Sequence, residues 1–242
     1  MRKNITITLV LALLVALVAG CSATQEPQQK RVAQGSYNNG TYTGISDADD
    51  HGYGIAVVTV KSDKITKVEL TEITEMGVEK DFSTYKYEPS VQANEEMGQR
   101  FVDANSAEVD DFSQATSSSN KYKQAVARAL EKAKANPAVT TEYFDGVFLG
   151  KSAADDHGYG LALVTIKEDK VQAVELNEVT EDNEFKNYNT YPKKEVVDAQ
   201  QELPAKFVET NGGPVDNVSG ATHTTQKWNE AVANALELAQ VK

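Results

Sequence analysis

The most regular hydrophobic pattern in this chain is that of an amphipathic helix, and it occurs twice. Apolar side chains recur every three or four residues along positions 122–133 and again along positions 228–239. This spacing gathers them on one face of a helix and leaves polar residues on the other face. Asn136 and Pro137 are expected to end the first helix, because proline cannot continue one.

Two strand-like segments precede each of these helices. Positions 55–60 form a β-branched apolar run, which predicts a buried strand, and positions 65–73 alternate between apolar and polar residues, as a half-buried strand does. The equivalent segments of the second half are 161–166 and 171–179. A polar turn separates the members of each pair, so each pair is predicted to form an antiparallel hairpin.

A long polar loop and a shorter helix are expected between each hairpin and its final helix. The shorter helices are predicted at about 95–105 and 200–211. Pro204 lies inside the second of these segments and argues against it, because proline removes one helical hydrogen bond.

These elements belong to one internal repeat, whose two copies align without a gap at an offset of 106 residues. The identical pairs include Gly44 and Gly150, Tyr85 and Tyr191, Phe101 and Phe207, Asp110 and Asp216, and Thr116 and Thr222. A period of this length indicates two tandem domains rather than a solenoid. We predict an α+β fold with domains at 40–136 and 137–242, each a twisted antiparallel sheet with a C-terminal amphipathic helix.

The N-terminus has the pattern of an export signal. Arg2 and Lys3 precede an apolar run at 5–18, which is shorter than the roughly 20 residues of a membrane span. Small residues and Cys21, the single cysteine, close the run. This resembles a lipobox, so residues 1–21 are predicted to be a lipoprotein signal peptide ending at a lipidated Cys21. The alternative is an ordinary signal peptide with a chance cysteine.

Lipidation, for instance with palmitate, would hold the protein on the outer face of the cytoplasmic membrane. Residues 22–39 are polar and rich in Gln, which predicts a disordered tether between the lipid and the first domain. With Cys21 modified, no cysteine remains for a disulfide or a metal site.

The net charge narrows the range of partners. The formal charge is −12 and becomes −14 when Arg2 and Lys3 leave with the signal peptide. This acidity argues against nucleic acid and against electrostatic docking on anionic lipid.

The candidate chemistry lies in the segment just ahead of each final helix. Segments 110–116 and 216–222 both read Asp-x-x-Ser-(Gln or Gly)-Ala-Thr. The shared motif positions are Asp110, Ser113, Ala115 and Thr116 in the first copy, and Asp216, Ser219, Gly220, Ala221 and Thr222 in the second. A hydroxyl beside a helix start is placed for a phosphate, because unpaired N–H groups and a partial positive charge lie there. Helix caps have the same composition, so a purely structural role stays open.

These segments resemble the flavinylation motif of the FMN-binding domain family. That family includes the C subunit of the sodium-pumping quinone reductase and the G subunit of the Rnf complex. The resemblance implies that a flavin transferase joins FMN through a phosphoester to the last Thr of each motif, Thr222 and Thr116. The first copy departs from the motif at Gln114, where Gly is usual. Thr224 and Thr225 are alternative acceptor hydroxyls.

The arrangement of lipobox, tether and two such domains resembles the PplA-type lipoproteins of Gram-positive bacteria. This resemblance implies an electron carrier, rather than an enzyme with its own substrate. Its two FMN groups would relay electrons from the membrane quinone pool, fed by an NADH dehydrogenase, to extracellular acceptors such as ferric iron. The alternatives are a ligand-binding or structural surface lipoprotein without flavin, a surface reductase, and a source of a pheromone peptide cut from residues 11–20.

A second repeated segment, Asp-Asp-His-Gly-Tyr-Gly, adds further candidate cofactor contacts. His51 and His157 either lie near the flavin ring, where they tune its potential or carry a proton, or are ordinary histidines of a glycine-rich turn. Tyr53 and Tyr159 either stack on the ring or fill the core. The paired aspartates before each histidine lack the ligand spacing of a calcium site, so no metal is predicted.

Overall fold

The computed structural model describes residues 36–242. The predicted signal peptide, the lipidation site Cys21 and residues 22–35 of the predicted tether lie outside the described residues. Each repeat copy contains three antiparallel strands and two helices. Among the described residues, no helix combines the length and the apolar character needed to cross a membrane.

The first copy is a three-stranded sheet in chain order followed by two helices. Its elements are β1 (Gly40–Ile45), β2 (Tyr53–Lys61), β3 (Lys64–Ile73), α1 (Glu88–Ala104) and α2 (Thr116–Ala133). Ser62 and Asp63 join β2 to β3 with φ angles of 53° and 63°, the left-handed pair that suits a two-residue hairpin turn. The predicted hairpin is therefore confirmed, and β1 adds a third strand beside β2.

The second copy repeats this architecture. Its elements are β4 (Gly146–Lys151), β5 (Tyr159–Lys167), β6 (Lys170–Val179), α3 (Lys194–Glu209) and α4 (Thr222–Ala239). Each strand lies 106 residues after its counterpart in the first copy, and the sheet order is the same. The predicted α+β class and the two tandem repeats are confirmed.

The final helix of each copy packs directly on the first two strands of its sheet. Its apolar face, which includes Tyr122 in α2 and Trp228 in α4, is fully buried. Gly44 of β1 makes this close approach possible, since a Cβ at that position would lie 1.9 Å from the Ala125 carbonyl oxygen of α2. The repeated glycine is therefore explained by helix–sheet packing.

The shorter helices begin earlier than predicted, at Glu88 and Lys194, and α3 continues through Pro204. The helix predicted in this segment is therefore confirmed, and Pro204 does not end it. A proline inside a helix costs about 3 kcal/mol. α3 packs on β6 and buries four side chains, those of Val196, Ala199, Leu203 and Phe207. Burial of a Val, Leu or Phe side chain stabilises the fold by about 1.5–3 kcal/mol, which offsets the cost of the proline.

The last residues of the predicted tether are bound to the first copy. The Tyr37 N–H donates to Asp63 Oδ1 over 2.8 Å, and the Asn38 N–H donates to the Ala133 carbonyl over 2.8 Å. Tyr143 makes the equivalent bond to Asp169 Oδ1, over 2.9 Å, ahead of β4. The prediction of a disordered tether is therefore wrong for residues 36–39, which open the first copy.

Arg128 of α2 joins the two copies. Its guanidinium donates hydrogen bonds of 2.7 Å to the Ile45 carbonyl, to Asp47 Oδ1 and to the Asp145 carbonyl. The same guanidinium lies 4.9 Å from the ring centroid of Phe148 in β4. A cation that is only 8% exposed and satisfied by both copies holds them in one fixed arrangement.

The contact between copies extends beyond Arg128. The Ala48 N–H donates to the Val147 carbonyl over 2.8 Å, which links the two backbones. Ile45 and Tyr53 of the first copy pack into the hydrophobic core of the second. The first copy therefore contributes part of the second copy's core, which independent domains on a string would not do.

The corresponding surface of the second copy differs in sequence. Asn234 replaces Arg128 and makes a single bond of 2.7 Å to the Lys151 carbonyl. Ala153 stands where the first copy has Asp47, and Lys151 stands where it has Ile45. The first copy's interface residues Arg128, Asp47 and Ile45 thus have no identical counterparts in the second copy.

Arg128→Ala should cost about 3 kcal/mol of unfolding free energy, because it removes three charge-assisted hydrogen bonds and leaves Asp47 without its cation. Asn234→Ala is the matched control at the equivalent position and should cost about 1 kcal/mol. Urea denaturation of both variants gives the measurement. Equal losses for the two would contradict a specific role for Arg128 at the interface.

Candidate functional site

The two motif threonines open the final helices. Thr116 is the first residue of α2 and Thr222 is the first residue of α4, and both side chains are exposed. Thr224 and Thr225 are buried, and the Thr225 hydroxyl donates to the Ala221 carbonyl over 2.9 Å. Of Thr222, Thr224 and Thr225, only Thr222 has an exposed side chain.

The motif turn is held by side chains that follow it. The Phe112 N–H donates to Ser119 Oγ over 2.9 Å, and Ser119 Oγ donates to the Ala115 carbonyl over 2.9 Å. Ala115 and Ala221 are buried at the N-cap positions, which carry no side-chain cap. The remaining motif side chains, Asp110, Ser113, Asp216 and Ser219, are exposed along the turn.

Gln114 and Gly220 adopt the same backbone conformation. Their φ angles are 63° and 82°, both in the left-handed region. A Cβ at Gly220 would lie 2.8 Å from Glu195 Cγ, the side chain of a flexible residue, and the first copy has Pro89 at that position. The Tyr87 hydroxyl also donates to the Gln114 carbonyl over 2.7 Å. The first copy therefore keeps the motif turn despite its departure from Gly.

A cleft of about 560 Å³ lies beside Thr222. It is bounded by the start of α4, by the polar loop after β6 and by the turn that carries His157. Its volume falls within the range of about 300–1,000 Å³ that small-molecule sites occupy. The lining residues with chemistry to offer are Thr222, His157, Glu178, Lys186, Tyr191 and Lys227.

A network of opposite charges, buried except for Asp155, forms the inner wall of the cleft. Glu178, at 1% exposure, pairs with Lys186, and Lys227 Nζ lies 2.6 Å from Asp155 Oδ1 and 4.0 Å from Glu178 Oε1. Burial alone would raise the pKa of Asp155, but the bonds from Lys227 and from the His157 N–H outweigh it and lower that pKa. The wall therefore holds two cations close to Thr222, each compensated by a carboxylate.

Two hydroxyl groups also lie within hydrogen-bond distance of the Glu178 carboxylate. Thr224 Oγ1 lies 3.4 Å from both of its carboxylate oxygens, and the Tyr188 hydroxyl lies 3.4 Å from Oε2. Burial raises the pKa of Tyr188, and the charge of Glu178 raises it further, so this hydroxyl keeps its proton and donates. The carboxylate is therefore satisfied from within the second copy.

The histidine turns are organised by aspartates rather than by the imidazoles. The His157 N–H donates to Asp155 Oδ1 over 2.8 Å, and the His51 N–H donates to Asp49 Oδ1 over the same distance. Asp49 also pairs with Lys121 at 2.7 Å, as Asp155 pairs with Lys227. Both imidazoles are exposed, and that of His157 lines the cleft.

Tyr53 and Tyr159 fill the core, which is one of the two placements that the sequence left open. Tyr159 does not line the cleft; it is buried and its hydroxyl donates to the Met76 carbonyl over 3.0 Å. Tyr53 is also buried, and burial raises its pKa to about 12. Their placement as ring-stacking residues is therefore corrected. Tyr191 lines the cleft instead, with Lys186 Nζ 4.6 Å from its ring centroid.

Sequence analysis missed the residues of the charged network. These are Asp155, Glu178, Lys186 and Lys227 in the second copy, and Asp49, Glu72, Lys80 and Lys121 in the first. All four positions are identical at the 106-residue offset. That identity was visible in the sequence, but a charged residue on a strand, helix or loop does not by itself indicate burial or name its partner.

Gly220→Gln should fold and lose about 1 kcal/mol of unfolding free energy. The substituted residue takes a left-handed conformation that costs roughly 1–2 kcal/mol, and Gln114 already tolerates it. Gln114→Gly, the reciprocal change, should alter stability by less than about 1 kcal/mol. Urea denaturation measures both. A loss above about 3 kcal/mol for Gly220→Gln would show that the second copy cannot adopt the first copy's turn.

Comparison with known proteins agrees with this geometry. A sequence profile described as an FMN-binding domain matches residues 52–131 and residues 158–237. Each match contains one motif threonine and most of one charged network. A search of curated proteins found no match.

One solved structure, that of the CPE2226 protein from Clostridium perfringens, is 27% identical to this chain. The similarity covers 40% of this chain and 88% of the other, with a TM-score of 0.36. The two profile matches together span more than half of the residues, and they confirm the resemblance seen in the motifs. The chain therefore belongs to the FMN-binding domain family, with two such domains in tandem.

Proposed function

We propose that this protein is a membrane-anchored electron carrier with FMN joined covalently to Thr222 and to Thr116. One observation supports this most directly. In the second copy, the exposed Thr222 hydroxyl opens a helix at the mouth of a cleft that is walled by two buried lysines. A helix start and nearby cations suit a phosphate, and a cleft of this size suits a flavin.

The residues present fit FMN. Lys186 and Lys227 would attract its phosphate, and each of these lysines is paired with a carboxylate. Tyr191 would offer an aromatic surface at the rim of the cleft. The flavin supplies the electron-accepting and electron-donating chemistry, while the chain retains and orients it.

A covalent bond has a physical purpose in an exported protein. Reversible binding with a Kd of 1 μM corresponds to about −8.2 kcal/mol, yet such a site empties where free FMN is scarce. The acidic chain also repels an anionic cofactor over long distances. A phosphoester to Thr222 or Thr116, formed by a flavin transferase, removes the dependence on free FMN.

The proposed location follows from the N-terminal sequence. Lipidation of Cys21 would anchor the protein on the outer face of the cytoplasmic membrane. Electrons would enter from the membrane quinone pool and leave to an extracellular acceptor such as ferric iron. The fixed contact between the copies at Arg128 would hold the two flavins at a constant separation.

Protein exported together with a flavin transferase should carry two FMN groups by intact mass. Thr222→Val should remove one and Thr116→Val the other, because each is the motif threonine, is exposed and is the first residue of its helix. Thr224→Val, which removes a buried hydroxyl two residues away, is the matched control and should keep both groups. A colourless protein of unmodified mass would instead favour the ligand-binding lipoprotein.

His157→Ala should leave the midpoint potential of the Thr222-linked flavin and its pH slope unchanged. The imidazole is exposed, and the turn is fixed through the His157 backbone N–H rather than through the side chain. A redox titration over a range of pH, in a Thr116→Val background, gives the measurement. A changed slope would make His157 the proton-carrying group.

A further inference from the structure

The two copies differ at one buried carboxylate. Glu72 of β3 occupies the position of Glu178 and is equally buried, at 1% exposure. It pairs with Lys80, as Glu178 pairs with Lys186. Its second oxygen, Oε1, has no hydrogen-bond partner among residues 36–242.

The sequence difference that leaves this oxygen unpaired is small. In the second copy the Thr224 and Tyr188 hydroxyls approach Glu178. The first copy has Ser118 and Phe82 at those positions. Phe82 has no hydroxyl, and the Ser118 hydroxyl donates to Ser90 Oγ over 3.4 Å instead. Both of the donors that satisfy Glu178 are therefore absent around Glu72.

The neighbouring groups do not replace those donors. Lys121 pairs with Asp49, and the Tyr122 hydroxyl accepts a bond of 3.0 Å from Asn94. Burial raises the pKa of Tyr122, and the negative charge of Glu72 raises it further, so this hydroxyl keeps its proton. Its contact with Glu72 does not meet hydrogen-bond geometry. A buried carboxylate oxygen without a donor is costly, and that cost is removed if a ligand supplies one.

Resting on the function proposed above, we propose that Glu72 accepts a hydrogen bond from the flavin held at Thr116. The donor is the imide N–H of the flavin ring. Glu178 makes no such bond, because Thr224 and Tyr188 already satisfy it. The protein thus carries two chemically different flavin sites built on one repeat.

Two consequences follow for the loaded protein. Loading FMN at Thr116 stabilises the fold by satisfying Glu72, in addition to the other contacts that the cofactor makes. A carboxylate that accepts from the ring also disfavours an added electron on the flavin. The flavin at Thr116 is therefore harder to reduce than the flavin at Thr222.

The test exchanges the donors between the copies and keeps every charge in place. In a Thr222→Val background, Phe82→Tyr with Ser118→Thr gives Glu72 the hydroxyls of the second copy. In a Thr116→Val background, Tyr188→Phe with Thr224→Ser removes them from Glu178. The melting temperature with and without FMN and the midpoint potential of the remaining flavin are measured for each.

The first exchange should reduce the stabilisation that FMN loading provides. It should also raise the potential enough to change the ratio of reduced to oxidised flavin at least threefold at a fixed applied potential. The second exchange should change both quantities in the opposite direction. Tyr122→Phe is the control and should leave the potential of the Thr116-linked flavin unchanged.

Two outcomes would overturn the proposal. If the first exchange stabilises the unloaded protein but leaves the effect of loading and the potential unchanged, a water molecule rather than the flavin satisfies Glu72. If Tyr122→Phe shifts the potential as much as the exchange does, Tyr122 is the donor. An unmodified mass of the Thr222→Val variant would instead contradict the loading of Thr116 itself, the step of the proposed function on which this inference rests.

Discussion

Buried charge is the constraint on which the candidate sites depend. A lysine or a carboxylate removed from water must find a partner of opposite charge, and an unpaired one costs several kcal/mol. In the second copy this requirement ties Lys227 of α4 to the aspartate of the histidine turn and Lys186 of the polar loop to Glu178 of β6. The start of α4, the histidine turn, β6 and the polar loop after it therefore meet at one cleft.

The repeat allows each copy to serve as the reference for the other. Both copies keep the charged network, the motif turn and the close helix–sheet contact, which indicates that these features belong to the shared architecture. The differences lie in two places. One is the Arg128 surface, which binds the copies together, and the other is the set of donors around Glu72 and Glu178. The two copies thus differ in the residues that bind one copy to the other and in the hydrogen-bond donors inside each candidate site.

The agreement between sequence and structure is best where a pattern is local. The helical stripe of α4 and the alternation in β3 and β6 reflect periodicities of 3.6 and 2 residues, and each was predicted correctly. Pro204 raised a local cost against the predicted α3, and packing of the helix on β6 overrides that cost. For Tyr159 the sequence left two placements open, and the contact with Met76 separates them.

The sequence by itself determined the fold class, the repeat and the motif threonines, since each is expressed over a short stretch or as an identity at a fixed offset. Only the tertiary structure decided which groups surround Thr222. Glu178 and Lys227 are 49 residues apart in the chain, and their approach to 4.0 Å depends on how α4 packs against the sheet. Burial is likewise a property of the assembled layers. Among residues 36–242, both oxygens of Glu178 have partners, whereas Oε1 of the equivalent Glu72 has none.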